Sequence, residues 1–354
     1  MGVERTGGRR KALACFWLRV LCFALILALA LGYAAYVLTP KHDYGICSMM
    51  NLYRQKRNTV DVLVLGTSLA YAGINTNVLW DEYGIATYDL CSAEQPFWIS
   101  YYYLLEALRT QTPSLILLDA KPAIYGQDYS KEGRALLSTS GILSPLTRLK
   151  AIRACVGGER MAEVALAFPK LHRNYANLTA EDFAFPPSNG GRGDTWKGYI
   201  EEDAQERHER PSLVYVDTKR SINPREEEYA RKIFELANER GIPLLLVGIP
   251  NPDYASDHLY YNTLWHIAAE YGFDGINYNQ PDLRFGLRYS TDFADWQHLN
   301  VKGSVTFSRR LGIDLKERFA LPDRRGDAAY TSYDECARRW FTAYPARAGK
   351  ESET

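Results

Sequence analysis

Five short apolar runs, each bounded by turn residues and set apart by helix-like stretches, constrain this chain most. They are "VDVLVLG" (60–66), "ATYDLC" (86–91), "SLILLDA" (114–120), "IPLLLVGIP" (242–250) and "FDGINYN" (273–279). A strand with one wet face alternates apolar and polar residues, whereas a strand buried on both faces reads as a continuous apolar run. Helical patterns fall between the runs: "WISYYYLLEALRTQ" before the third, and "NPREEEYARKIFELANERG" before the fourth. The latter opens on Asn223 as N-cap with Pro224 at the first helical position, carries acids in its first turn and stops at Gly241. Strands alternating with helices predict an α/β domain, a parallel sheet covered on both faces. Ligands of such sheets bind beyond the C-terminal ends of the strands.

The N-terminus adds a second constraint. Arg5, Arg9, Arg10 and Lys11 precede "VLCFALILALALGYAAYVL", uncharged from Val20 to Leu38, and at 1.5 Å per residue this run just spans a hydrocarbon core of about 30 Å. Arg19 can snorkel to the cytoplasmic edge, and the basic flank puts the N-terminus inside and the main domain outside the cell. The expected organisation is a cytoplasmic tail over 1–12, a transmembrane anchor over 13–38 and a polar stalk over 39–57. An extracytoplasmic domain follows over 58–320, with an irregular insertion over about 125–219 that shows no clear strand until "SLVYVD", then a charged tail over 321–354 with one aromatic helix-like patch, "ECARRWFTAY". A cleaved signal peptide and a buried core helix are the competing readings of the apolar run. "ALAC", ending at Cys15, precedes the run instead of following it, which excludes a lipoprotein cleavage box.

Lys plus Arg and Asp plus Glu balance at 42 each in 354 residues, so no basic field exists to neutralise nucleic-acid phosphates. Six scattered cysteines without a CxxC pair give neither a disulfide framework nor a structural zinc site. No metal and no cofactor is expected.

The chemistry centres on "DVLVLGTSLAYAG" (61–73), where Ser68 stands just beyond the first strand. A serine there is either a nucleophile or an N-cap of the next helix. A nucleophilic serine needs a base, and the base needs a group to hold its tautomer. Of six histidines, His298 in "DFADWQHLN" has an aspartate, Asp295, three residues earlier, and it follows the fifth run. A parallel sheet brings that position to the same edge as Ser68.

"GTS" after the first strand and "DxxH" after the last resemble the first and last sequence blocks of the SGNH (GDSL-type) hydrolase superfamily. The N-terminal anchor and "CSAEQPFWISYYYLLEAL" resemble its membrane-anchored branch, related to the D-alanyl transfer proteins of teichoic acid and the alginate O-acetylation proteins. The resemblance covers about residues 58–318. It implies a three-layer, flavodoxin-like fold and serine ester hydrolase or O-acyltransferase chemistry. The implied partners are an acylated envelope glycan or teichoic-type polymer and a membrane-bound O-acyltransferase. Ser68 matches the nucleophile, His298 the base and Asp295 its orienter. The aspartate usual before the serine is Thr67 here, the second block "DLCSAEQP" lacks the oxyanion glycine, and "DAKPAIY" replaces the third block's Gly-x-Asn-Asp. Candidate oxyanion or substrate donors are therefore the Ser68 amide, the segment from Cys91 to Glu94, and His172, Arg173 and Asn174 in "LHRNY". The alternative is a catalytically degenerate binding or accessory protein for a membrane acyltransferase; a third reading is an α/β ligand-binding domain with unrelated chemistry.

Overall fold

The computed structural model describes residues 4–39, 44–126, 133–165, 171–183, 196–211, 216–252, 254, 256–283 and 285–345. Its sheet has five strands: β1 (Val62–Gly66), β2 (Thr87–Cys91), β3 (Leu115–Asp119), β4 (Leu244–Gly248) and β5 (Asp274–Asn277). Each lies inside one of the five apolar runs. All pairings are parallel, in the order β2-β1-β3-β4-β5. Every residue of β1 to β4 is buried, as a sheet covered on both faces requires.

The pleat divides the core in two. Leu63 and Leu65 of β1 face a cluster with Phe97, Tyr103 and Phe234, supplied by helices Phe97–Ala107 and Pro224–Arg240. Val62 and Val64 face the other way, toward Leu69, Phe307 and Leu311, on helices Ser68–Gly73 and Val301–Arg318. The predicted caps of the Pro224–Arg240 helix are present: Asn223 accepts from the Arg225 amide, and Gly241 closes the helix at φ 63°. A left-handed residue there suits glycine, which has no Cβ to clash.

Helix Phe97–Ala107 starts behind Pro96, which offers no side-chain cap. Its first amide instead donates to Glu226 Oε2 at 2.8 Å. Glu226 is fully buried, and burial pushes its carboxyl up to about 8, against smaller lowering effects from the Phe97 amide and Arg225. The folded pKa is thus raised above the unfolded 4.5. The resulting stability is complete below pH 4.5 and is lost as pH rises toward about 8. Glu226→Gln keeps an acceptor for Phe97 and removes the titration. Urea unfolding of this variant between pH 5 and 8 is expected to show a flatter pH dependence than the parent, by an amount on the order of 3 kcal/mol. Parallel curves would show that Glu226 does not take up a proton on folding.

Three segments differ from expectation. Residues 39–57, expected as a polar stalk, carry helix Tyr44–Arg54, in which Ile46, Met49, Met50 and Leu52 are buried. The spacing Ile46, Met49, Met50, Tyr53 is one helical face, and the Tyr88 hydroxyl donates to the Ser48 carbonyl at 2.7 Å. The tail after 321, expected to be charged with one aromatic helix-like patch, "ECARRWFTAY", forms helix Thr331–Ala343, which starts earlier than the patch and buries Tyr333, Ala337 and Trp340. Arg324 holds it to β1's approach through two 2.9 Å bonds to Asp61. The insertion, expected to be irregular, contains helices Arg134–Ser140, Pro145–Val156 and Met161–Ala165, and Ile142, Ile152 and Val164 join the core. The run "SLVYVD" falls mainly on residues 212–215, outside those described.

Helix Glu4–Leu38 precedes the body. Its stretch Arg10–Leu38, whose most apolar 18 residues have a mean hydropathy of 2.4, is long and apolar enough to cross a membrane. Leu21, Phe23 and Ile26 are each about two-thirds exposed, so it is not a core helix. Cys15 and Cys22 lie exposed on it, while Cys47, Cys91, Cys155 and Cys336 are buried, and all six are free thiols.

Candidate functional site

The site is built where β1 ends. A Cβ at Gly66 would lie 2.4 Å from the Asp119 Cβ and 2.9 Å from the Ala70 Cβ, so glycine permits β1, β3 and the following helix to meet. Thr67, not Ser68, is the N-cap: its extended backbone (φ −90°, ψ −169°) starts the helix and its Oγ1 accepts from the Leu69 amide at 3.2 Å. The Thr67 hydroxyl and amide both donate to Asp119 Oδ2, at 2.6 and 2.9 Å, while Asp119 Oδ1 accepts from the Lys121 amide. Burial pushes the Asp119 carboxyl up, and the bonds from Thr67 and Lys121 only partly oppose this. β3 thus holds the turn that presents Ser68, through an acid that sequence reasoning did not single out. Its only trace in the sequence is that an Asp ends the otherwise apolar strand β3.

With capping done by Thr67, the Ser68 hydroxyl is left for other work. Ser68 Oγ lies 2.8 Å from His298 Nε2, and His298 Nδ1 lies 2.7 Å from Asp295 Oδ2. The carboxylate can only accept, so Nδ1 carries the proton and Nε2 offers its lone pair to the serine O–H. Asp295 Oδ1 accepts from the amides of Gln297 and His298, both at 2.8 Å, an Asx turn that fixes the carboxylate against its own loop. Burial raises the Asp295 carboxyl, but the His298 ring and the two amides outweigh it and hold the group below the usual aspartate range. The loop is closed by the Ala294 amide donating to the His298 carbonyl. Asn300 anchors its far end, donating to the carbonyls of Thr291 and Phe293 and capping the next helix at Gly303 N.

A strap from the insertion crosses this edge. Ile200 N donates to the Tyr71 carbonyl, Glu206 N to that of Phe293, and Val301 N to that of Glu202, at 2.8 to 3.0 Å. It ties the serine helix to the histidine loop. Glu202 is half-buried on the strap; burial raises its carboxyl, and the neighbouring His298 lowers it. No pattern in the sequence marks Glu202. Trp296, next to Asp295, is 55% exposed.

The other sequence candidates have their own partners. Cys91 ends β2 opposite Gly66, and its Sγ contacts the Val64 carbonyl. The Ser92 amide donates to the Gly66 carbonyl at 3.2 Å. Glu94, at φ 52°, pairs with Arg134 at 3.4 Å. His172 is exposed, and Asn174 Nδ2 donates to the Leu38 carbonyl at 3.0 Å, so that stretch borders the N-terminal helix. The Arg173 side chain lies outside the described residues. The structure therefore brings Ser68, His298 and Asp295 together, and the hydrogen bonds described for Ser92, Glu94 and Asn174 go elsewhere. Among the described residues, no group of three or more His, Cys, Asp or Glu side chains could hold a metal ion.

Compared with known protein families, curated proteins and solved structures, the chain matches none.

Proposed function

We propose that this chain is a membrane-anchored, extracytoplasmic SGNH-like esterase or O-acyltransferase that works through an acyl ester on Ser68. The carrying observation is the unbroken chain Ser68 Oγ, His298 Nε2, His298 Nδ1, Asp295 Oδ2 at 2.8 and 2.7 Å. The strand order β2-β1-β3-β4-β5 is that of flavodoxin-like folds, and it supports the superfamily reading because the serine follows the first strand and the histidine the last.

His298 Nε2 takes the Ser68 proton as Oγ bonds to the acyl carbon, and the carbonyl electrons move to oxygen. When the tetrahedral species collapses, the bond to the leaving alcohol breaks and His298 returns the proton to that alcohol. Water or a sugar hydroxyl then attacks the acyl-serine by the same steps, with His298 as base, and frees Ser68. Asp295, held ionised, stabilises the imidazolium. The Ser68 amide is the oxyanion donor: at the first position of a helix it has no intrahelical carbonyl, while the Leu69 amide already bonds the Thr67 hydroxyl.

The acceptor class, an envelope polysaccharide or teichoic-type polymer, and the partner, a membrane-bound O-acyltransferase, follow from the family resemblance. The N-terminal placing inside the cell rests on the basic flank before the apolar helix. The accessory reading, in which the site binds without turnover, draws on the Ser92 amide being bonded to Gly66 and on the absence of a glycine in the second block. One missing oxyanion donor costs on the order of 3 kcal/mol.

Incubation of the full-length protein with p-nitrophenyl acetate, followed by acid quench and peptide mapping, tests the proposal. Acetylation of Ser68 is the expected result. A folded protein that neither carries an acetyl group on Ser68 nor releases p-nitrophenol faster than its Ser68→Ala variant is the outcome of the accessory reading.

A further inference from the structure

The N-terminal helix does not leave the body at a loose joint. Gly32 is exposed, residues 34 to 36 are half-buried and Val37, Leu38 and Thr39 are buried, so the helix runs into the body over its last turns. The segment 172–183 lies against it. Asn174 Nδ2 donates to the Leu38 carbonyl at 3.0 Å, and the Tyr33 hydroxyl donates to the Phe183 carbonyl at 3.2 Å. With a rise of 1.5 Å per residue, Tyr33 lies about 7.5 Å below Leu38 along the helix. The main chain at Phe183 therefore reaches down beside the apolar helix.

The segment has two sides. Leu171 and Leu178 pack on the core, whereas Tyr175 is 70% and Phe183 51% exposed. Tyr33 and Tyr36 stack at this level with ring centroids 6.3 Å apart. Large aromatic side chains left in water forgo the free energy of burial. At the boundary between lipid headgroups and acyl chains they regain it, and a tyrosine keeps its hydroxyl hydrated there.

We infer that residues 172–183 form a foot resting in the lipid interface of the membrane that the N-terminal helix crosses, with Tyr175 and Phe183 inserted among the headgroups. The inference rests on that helix being membrane-spanning. The occupant follows from continuity, because the foot is bonded to the helix at the depth where its exposed apolar surface begins. The body then sits against the bilayer at a fixed height.

The test uses full-length protein in nanodiscs of phosphatidylcholine and phosphatidylglycerol, in a Cys15→Ala, Cys22→Ala background whose four remaining thiols are buried. A polarity-sensitive fluorophore is attached at Tyr175→Cys, Phe183→Cys or Ile313→Cys. Ile313 is 45% exposed on the helix that covers the opposite face of the sheet. The expected result is iodide quenching about threefold weaker at 175 and 183 than at 313, with quenching by headgroup-level nitroxide lipids at 175 and 183 only. Equal iodide quenching at all three sites overturns the foot, as does shielding that appears only with two copies per disc. Failure of the protein to enter nanodiscs refutes the membrane-spanning helix itself, a separate outcome read before any label.

Discussion

Ser68→Ala and His298→Ala are each expected to abolish labelling by a fluorophosphonate serine probe, a fall in rate of about a thousandfold or more. The geometry makes the two losses equivalent. Without Ser68 no oxygen stands in reach of the base, and without His298 the serine keeps its proton, because the 2.8 Å contact with Nε2 is the one that removes it. Groups that act as a unit are not additive, so the double variant should be no worse than either single one. Asp295→Asn separates charge from shape. Asp295 uses one oxygen for the His298 ring and the other for the amides of Gln297 and His298. An asparagine has one oxygen, so either the amides or the ring meets an NH2 group. Facing the ring, that group forces the proton onto Nε2, where it points at Ser68. A loss of about a hundredfold or more with unchanged circular dichroism is expected. Labelling that survives all three changes would remove the basis for an activated serine.

Gly66→Ala is expected to damage fold and site together. Its methyl group would stand 2.4 Å from the Asp119 Cβ and 2.9 Å from the Ala70 Cβ. Neither obstacle is the far end of a flexible side chain, so β1, β3 or the serine helix must shift. Overpacking of this kind costs about 3 kcal/mol, which lowers the melting temperature of a domain this size by roughly 5 °C. Asp119 is also the anchor of Thr67. Ser68 labelling should therefore fall further than the loss of folded protein accounts for, measured below the melting transition. Gly241→Ala is the comparison: it strains a left-handed residue in open space and should cost only about 1 kcal/mol, with labelling retained.

The sheet was legible because parallel strands buried on both faces leave continuous apolar runs, and all five fall where those runs stand. Ser68, His298 and Asp295 were legible through residue type and position relative to those strands. Other features were written in weaker signals. The buried helix Tyr44–Arg54 keeps its apolar residues at helical spacing within a stretch of mixed composition, so average polarity hid it. The Thr331–Ala343 helix carries Tyr333, Cys336, Ala337 and Trp340 on one buried face; its aromatic patch marked it as helix-like, but the surrounding charges hid that this face packs on the domain. Asp119 and Glu202 could not be found by spacing at all. Each acquires its place through backbone pairing between distant segments, Asp119 by β3 lying beside β1, and Glu202 by the strap lying over the histidine loop.

Ser68 and His298 stand 230 residues apart, at opposite ends of the sheet's chain order. During synthesis the serine emerges first and waits while β2, β3, β4 and β5 are made. Until the last strand is laid down and its loop closes, the hydroxyl has no base. A chain interrupted anywhere before residue 298 lacks the Ser68–His298 pair, however much of its sheet has formed, and long-range parallel pairing of this kind is slow to complete. The order of the sequence thus makes the Ser68–His298 contact one of the last the growing chain can form.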